Sequence, residues 1–176
     1  MNETVLHLGD ETSYSAIAAK RLAPTMRPRP IASFEAMQEA FEKGAADFAV
    51  IPLRNSLIGD VPDAERWTTR GLRKLDEAAI PIAHVLAGCG EIGDIAHVLS
   101  HQAALGQCSA FITQHGWTSV PVDSTSKAAQ LVRAAHHPAM AAICSAGAAA
   151  HYGLAIIHED IADSSDNETL FALFAR

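Results

Sequence analysis

Hydrophobic and polar positions along this chain alternate between two spacings, and the switch points mark the elements. "ETVLHLGD" reads as a first strand running into a turn at Gly9 and Asp10, and "YSAIAAKRLAP" as an Ala-rich helix stopped before Pro24. A short connection leads to "IASFEAMQEAFEKGAADFAVIPL". There Ser33 can cap a helix with Phe34, Met37 and Phe41 on one face, Gly44 ends it, and a strand runs from Asp47 to Leu53. "VPDAERWTTRGLRKL" is expected to be another helix with Pro62 at its start, and "AAIPIAHVLAG" one long apolar strand that carries the chain elsewhere.

From residue 95 the alternation restarts. The reading is strand "IAHVLS", helix "HQAALGQCSAFITQHG", strand "TSVPV", helix "STSKAAQLVRAAHH", strand "AMAAICS", helix "AGAAAHYG", strand "LAIIHED", and a closing strand "NETLFALFAR". Strand and helix in turn predict an α/β fold with mostly parallel sheets and helices on their faces. Two such units in one chain suggest two small lobes, residues 1–75 plus 158–176 and residues 76–157, with a ligand cleft between them, because open α/β sheets bind at the carboxyl ends of their strands.

Composition narrows the partners. The chain has 176 residues, 49% hydrophobic and 19% charged, enough to bury a core. Its net charge of −7 argues against nucleic acid or an anionic membrane, which select basic surfaces. Local arginines or lysines can still hold a small anion. Cys89, Cys108 and Cys144 have no metal or disulfide spacing and read as reduced thiols of a cytoplasmic protein. The nine histidines lack ligand spacing and read as surface or core residues, so no metal is expected. No signal peptide or membrane span is evident at the sequence level.

Candidate chemistry collects in polar turns that follow strands or open helices: "GDETSYS" (9–15), "RNSLIG" (54–59), "SHQAALGQC" (100–108), "DSTSKAA" (123–129) and "DNETLF" (166–171). Helix N-termini with Ser or Thr offer N–H groups and hydroxyls to an anion, but Ser33, Ser124 and Thr125 are each also explained as ordinary N-caps. In "IPLRNSLIGDV" a buried-strand pattern ends abruptly in Arg54, Asn55 and Ser56. That triplet is either a set of ligand groups or a solvated loop.

In order and almost end to end, "GDETSYSAIAA", "DFAVIPLRNSLIGDV", "VLSHQAALGQCSAFI", "DSTSKAAQLV" and "AAICSAGAAAHYGLAIIHEDIADSSDNETLF" resemble the catalytic domain of the prephenate dehydratase family. That family carries G-P-E-G-T-Y-S, V-P-I-E-N-S-x-x-G, S-H-P-x-A-x-x-Q-C and N-x-T-R-F. The resemblance implies two lobes of the periplasmic-binding-protein type II kind with the site between them. It also implies a homodimer and a cofactor-free lyase that takes a small anionic ring acid. The reaction is loss of carbon dioxide and water from prephenate to give phenylpyruvate.

Position by position, the resemblance places Asn55, Ser56, Gln107, Thr125 and Thr169 in the site. Thr169 stands where the family has the hydroxyl that assists departure of water, as a positioned donor because an unperturbed Thr is a very weak acid. Ser13, Tyr14 and Ser15 match the N-terminal turn, Tyr14 being equally explained as an aromatic packed on its own helix, and Phe171 closes the last motif. Two positions depart from the family: Leu170 stands for the Arg of T-R-F, and Arg54 for the Glu of E-N-S.

Three readings compete. Arg54 replaces the missing cation from across the cleft; or the chain is a non-aromatising prephenate decarboxylase or acts on another ring acid; or it is a non-catalytic small-acid binder. The family usually carries an amino-acid-binding regulatory domain after T-R-F. With the chain ending five residues past Phe171, neither that domain nor phenylalanine feedback is expected.

Overall fold

The structure is a computed structural model that describes residues 3–68 and 71–176. It divides into two compact units, the first running to Ile82 and resuming at Asp166, the second spanning Ala83–Ser165.

The first unit starts with β1 (Thr4–Leu8), whose Val5, Leu6 and His7 are buried. α1 (Tyr14–Leu22) follows, with Ser13 Oγ accepting from Ala16 N at 3.1 Å as its N-cap. The next element, β2 (Arg27–Ile31, "RPRPI"), lies within the stretch read from sequence as a connection. It pairs in parallel with β1 at the sheet edge, where two prolines that cannot donate to a ladder are tolerated. α2 (Phe34–Glu42) is capped by Ser33, and its Met37 and Phe41 pack with Leu6, Ile51 and Trp67.

β3 (Phe48–Asn55) and the two-residue β4 (Gly59–Asp60) come next, then the short α3 (Glu65–Thr68) and β5 (Arg73–Pro81). The helix expected over 61–75 is thus one turn at 65–68 and the start of a strand, and its positions 69–70 lie outside the described residues. The chain's last strand, β11 (Glu168–Ala175), inserts between β3 and β5, antiparallel to both, giving the order β2-β1-β3-β11-β5.

The apolar stretch 78–88 is two strands, because Ile82, Ala83 and His84 break it between sheets. The second unit contains β6 (Val85–Gly88), β7 (His97–Ser100), α4 (Gln102–Gln107), α5 (Ser109–His115) and β8 (Thr118–Pro121). It continues with α6 (Thr125–Ala135), β9 (Met140–Cys144), α7 (Ala146–Tyr152) and β10 (Ala155–His158). Its sheet runs β10-β6-β9-β7-β8, parallel among β9, β7 and β8 and antiparallel from β9 through β6 to β10. Both sheets are therefore mixed, each covered by apolar clusters on its two faces.

Candidate active site

The site residues of the first unit depend on one extra residue in β3. Phe171 pairs with Pro52 and Leu170 with Arg54, so Leu53 has no opposite partner on β11 and forms a β-bulge. The shift of register puts Asn55 opposite Thr169. Without it Arg54 would face Thr169, and the amide that reaches the hydroxyl would be one residue out of step.

Asn55 is 5% exposed and uses its whole side chain. Its Oδ1 accepts from the N–H groups of Leu57 and Ile58 at 3.0 and 3.2 Å, which fixes the turn after β3. Its Nδ2 has three acceptors within reach: Thr169 Oγ1 at 2.9 Å, Asn167 Oδ1 at 2.9 Å and the Glu168 carbonyl at 3.1 Å. Ser56 closes the same strand end: its hydroxyl donates to the Asp166 carbonyl at 2.8 Å and accepts from Glu168 N at 3.0 Å.

A hydroxyl has one hydrogen and two acceptor sites. Thr169 Oγ1, 8% exposed as a residue, accepts from Asn55 and so keeps its own hydrogen for donation elsewhere. An oxygen that already receives a hydrogen bond also bears negative charge more easily, which makes the hydroxyl a better proton donor.

Ser13, Tyr14 and Ser15 stand at the start of α1 in this unit. Ser13 Oγ donates toward the Leu8 and Asp10 carbonyls, both 2.8 Å away, Ser15 is buried, and Tyr14 packs against the cluster that holds Ile80 and Phe171. Phe171 is 2% exposed and belongs to the core. Arg54 lies in the same sheet as Leu170, as its direct cross-strand neighbour, rather than standing across a cleft from it. Its side chain is 69% exposed and its Nε is 3.9 Å from an Asp60 carboxylate oxygen, an exposed contact of small energetic weight.

Gln107 and Thr125 belong to the second unit. Gln107 ends α4, where the helix expected over 101–116 breaks at Cys108 (φ −119°, ψ 21°). Asp163 holds the break: its N–H donates to the Gln107 carbonyl at 2.7 Å, and its carboxylate accepts from Ser109 Oγ at 2.8 Å and Ala110 N at 3.1 Å. The Gln107 amide oxygen lies 2.8 Å from His84 Nε2. His84 is 2% exposed, and burial pushes its pKa down, partly offset by the bond to Gln107. Thr125 opens α6, whose N-cap is Ser124.

Sequence reasoning missed Asn167, His84 and Asp163 as hydrogen-bond partners of Asn55 and Gln107. Asn167 had a readable signal, being the Asn of the N-x-T motif. A buried histidine before a strand and an aspartate far from the helix it caps had none.

The prephenate dehydratase family model matches residues 5–176. The chain belongs to the prephenate dehydratase family. Among curated proteins it is 35% identical over 175 residues to arogenate dehydratase 2 of Petunia hybrida, covering 98% of this chain and 44% of that protein. It is 31% identical over 180 residues to prephenate dehydratase of Methanocaldococcus jannaschii, covering 100% of this chain and 66% of that one. A solved prephenate dehydratase from Arthrobacter aurescens in complex with L-Phe superposes with a TM-score of 0.87 at 30% identity, over 98% of this chain and 60% of that one. The chain spans about half the length of the first curated relatives it matches. The family's T-R-F pattern is Thr169, Leu170, Phe171 in this member.

Proposed function

We propose that this chain is a dehydratase domain that converts prephenate to phenylpyruvate with Thr169 as proton donor. The observation that carries the reading is the Asn55–Thr169 hydrogen bond, which leaves a buried hydroxyl with its hydrogen as its remaining donor.

The reaction needs little from the protein. The C–C bond to the ring carboxylate breaks and carbon dioxide leaves. The electron pair completes the aromatic ring, and the C–O bond to the ring hydroxyl breaks. The departing hydroxide takes a proton from Thr169 and leaves as water, and Thr169 is reprotonated from solvent, so one proton is consumed overall. Aromatisation drives the step, and the protein's part is to orient the ring hydroxyl and supply that proton. No cofactor is invoked.

For the carboxylates we infer that Arg54 is a charge partner. Directly opposed residues on antiparallel strands have Cβ atoms about 4.5–5.5 Å apart, so an Arg at position 54 starts beside the place from which an Arg at position 170 would reach. Gln107, Thr125, Ser13, Tyr14 and Ser15 are assigned to substrate by the family resemblance. A homodimer and a cytoplasmic location are further parts of the proposal.

The deciding experiment incubates the protein with prephenate and, separately, with arogenate, the substrate named for the Petunia relative. Carbon dioxide release with phenylpyruvate, read by its enol absorbance in base, supports the dehydratase. A preference for arogenate would give phenylalanine. A non-aromatic product would replace the reading by simple decarboxylation, and ring acids that neither bind nor react would end it.

A further inference from the structure

We propose that a cavity in the first unit, between α1 and the β1–β2 edge of its sheet, binds a small zwitterionic amino acid with an apolar side chain. The ammonium group of the ligand sits against His7 Nε2 and the carboxylates of the turn after β1, and its carboxylate sits on Lys20. The proposal goes beyond the lyase reaction and does not rest on it.

Strand register builds the cavity. Val5 and His7 lie on one face of β1, and Val5 packs with Ala18 and Ala19 of α1. Register partners in a parallel pair share a face, and β1 sets Val5 beside Pro28 and His7 beside Pro30. Two pyrrolidine rings thus flank the imidazole under α1, where Ala16 leaves room and Lys20 follows one turn later. With Asp10 and Glu11 these residues line about 530 Å³, within the roughly 300–1,000 Å³ of small-molecule sites. Asn55, Ser56 and Thr169 are not among them.

The imidazole brings a lone pair to this space. His7 is 1% exposed, and its Nδ1 lies 3.3 Å from the Leu8 carbonyl. A carbonyl only accepts, so Nδ1 carries the hydrogen. Burial lowers the pKa and keeps the ring neutral, which leaves Nε2 an acceptor. Among the described residues nothing donates to it. A buried acceptor calls for a donor.

The charges around it decide which donor. Lys20 is exposed, and among the described residues its ammonium has no hydrogen bond or ion pair. Lys20 and Asp10 both stand near enough to act on the imidazole, the first lowering its pKa and the second raising it. Asp10 Oδ1 accepts from N and Oγ1 of Thr12 at 2.9 and 2.8 Å, but a carboxylate has about four acceptor sites, so its charge still serves a cation. A plain amine is repelled by Lys20, and a plain carboxylate by Asp10, Glu11 and the Nε2 lone pair. A zwitterion answers all of them, and the prolines give its side chain an apolar wall. A metal ion is not the occupant, since among the described residues no three His, Cys, Asp or Glu side chains are grouped to hold one.

The test titrates the whole chain with L-valine, L-leucine and L-tryptophan by calorimetry and follows His7 Nε2 by long-range ¹⁵N–¹H correlation. At least one amino acid is expected to saturate a single site with Kd below about 1 mM and to shift Nε2 as it gains a donor. The matched acid without the amine and the matched amine without the carboxylate are each expected to bind at least about tenfold more weakly. Lys20→Met, an exposed change, and His7→Phe, which keeps a ring and removes the lone pair, are each expected to weaken binding about tenfold. Should His7→Phe fail to fold, the Nε2 shift and Lys20→Met decide. No saturable binding up to about 10 mM, analogues that bind as well as the amino acid, an unmoved Nε2, or full affinity in Lys20→Met would each overturn the site. None of these readouts uses prephenate, so the lyase reading stands or falls separately.

Discussion

A threonine hydroxyl in water does not give up its proton near neutral pH, so what matters at position 169 is the company it keeps. Asn55 Nδ2 donates to its oxygen at 2.9 Å, and Asn55 is itself locked by the N–H groups of Leu57 and Ile58. Thr169→Val retains the shape and removes the donor. It is expected to lower kcat by roughly 10²-fold or more with little change in KM, as steady-state assays would show. Asn55→Asp keeps the acceptor that holds the loop and deletes the Nδ2 donor, so a similar loss in kcat is expected, with a loss of stability because a buried carboxylate oxygen then faces the Asn167 Oδ1 and Glu168 carbonyl acceptors; Asn55→Leu should cost about 1–3 kcal/mol of stability by orphaning the N–H groups of Leu57 and Ile58. Asn55, Ser56 and Thr169 were legible because short polar motifs survive at strand ends. His84 was not, since nothing in "PIAHVLAG" separates a buried imidazole hydrogen-bonded to a glutamine from one that fills space. His7, 1% exposed, is a second buried imidazole. Burial lowers the pKa of both from 6.5. The unfolded chain therefore takes up protons first as pH falls, so stability is full above about 6.5 and declines below it as pH passes toward the lowered folded values. Thermal melts across that range should show the decline, and His7→Gln should flatten it.

Elements were readable where pattern and environment agreed. The capped helices at Ser13, Ser33 and Ser124 and the strands of β1, β3, β9 and β11 follow from periodicity. β2 did not, because the alternation in "RPRPI" sets arginine against proline, a residue that argues against a strand, and it exists only because an edge position asks little of its N–H groups. β5 begins as a charged, exposed edge strand, with Lys74 Nζ 2.8 Å from Glu77, and such composition imitates a helix surface. Two irregularities beside candidate residues, the Leu53 bulge in the first unit and the break at Cys108 in the second, are tertiary in origin: one depends on the register with β11, the other on Asp163 from a distant loop. Asp163→Ala should therefore cost about 1 kcal/mol, as a lost N-cap does, measured by denaturant melts. The exchanged arginine belongs to this scale too. Arg54→Met is expected to raise KM for prephenate about tenfold without altering stability, and Arg54→Glu with Leu170→Arg to recover what the first change removes, because the two positions are cross-strand neighbours. Unchanged KM in Arg54→Met would return Arg54 to the solvated surface.

At the scale of the molecule, each unit carries its own sheet and its own apolar clusters on both faces, and the first unit closes only when the last strand enters between β3 and β5. The three cysteines all lie in the second unit and report on it from different depths. Cys89 is exposed, whereas Cys108 and Cys144 are fully buried in clusters on opposite faces of the β10-β6-β9-β7-β8 sheet. Burial raises both buried thiols to about 12, with Asp163 adding to the rise at Cys108 and an Ala149 backbone hydrogen bond opposing it at Cys144. Reaction with an alkylating agent needs the thiolate and access to it, and the native fold denies both at these two positions. Under native conditions a thiol reagent is expected to modify Cys89 alone, read by intact mass. In increasing urea the other two should become reactive at one shared midpoint, because the sheet between them buries apolar side chains on both sides and neither layer keeps its partner if the other leaves. Two separate midpoints, one for Cys108 and one for Cys144, would show instead that the helical layers on the two faces peel away independently.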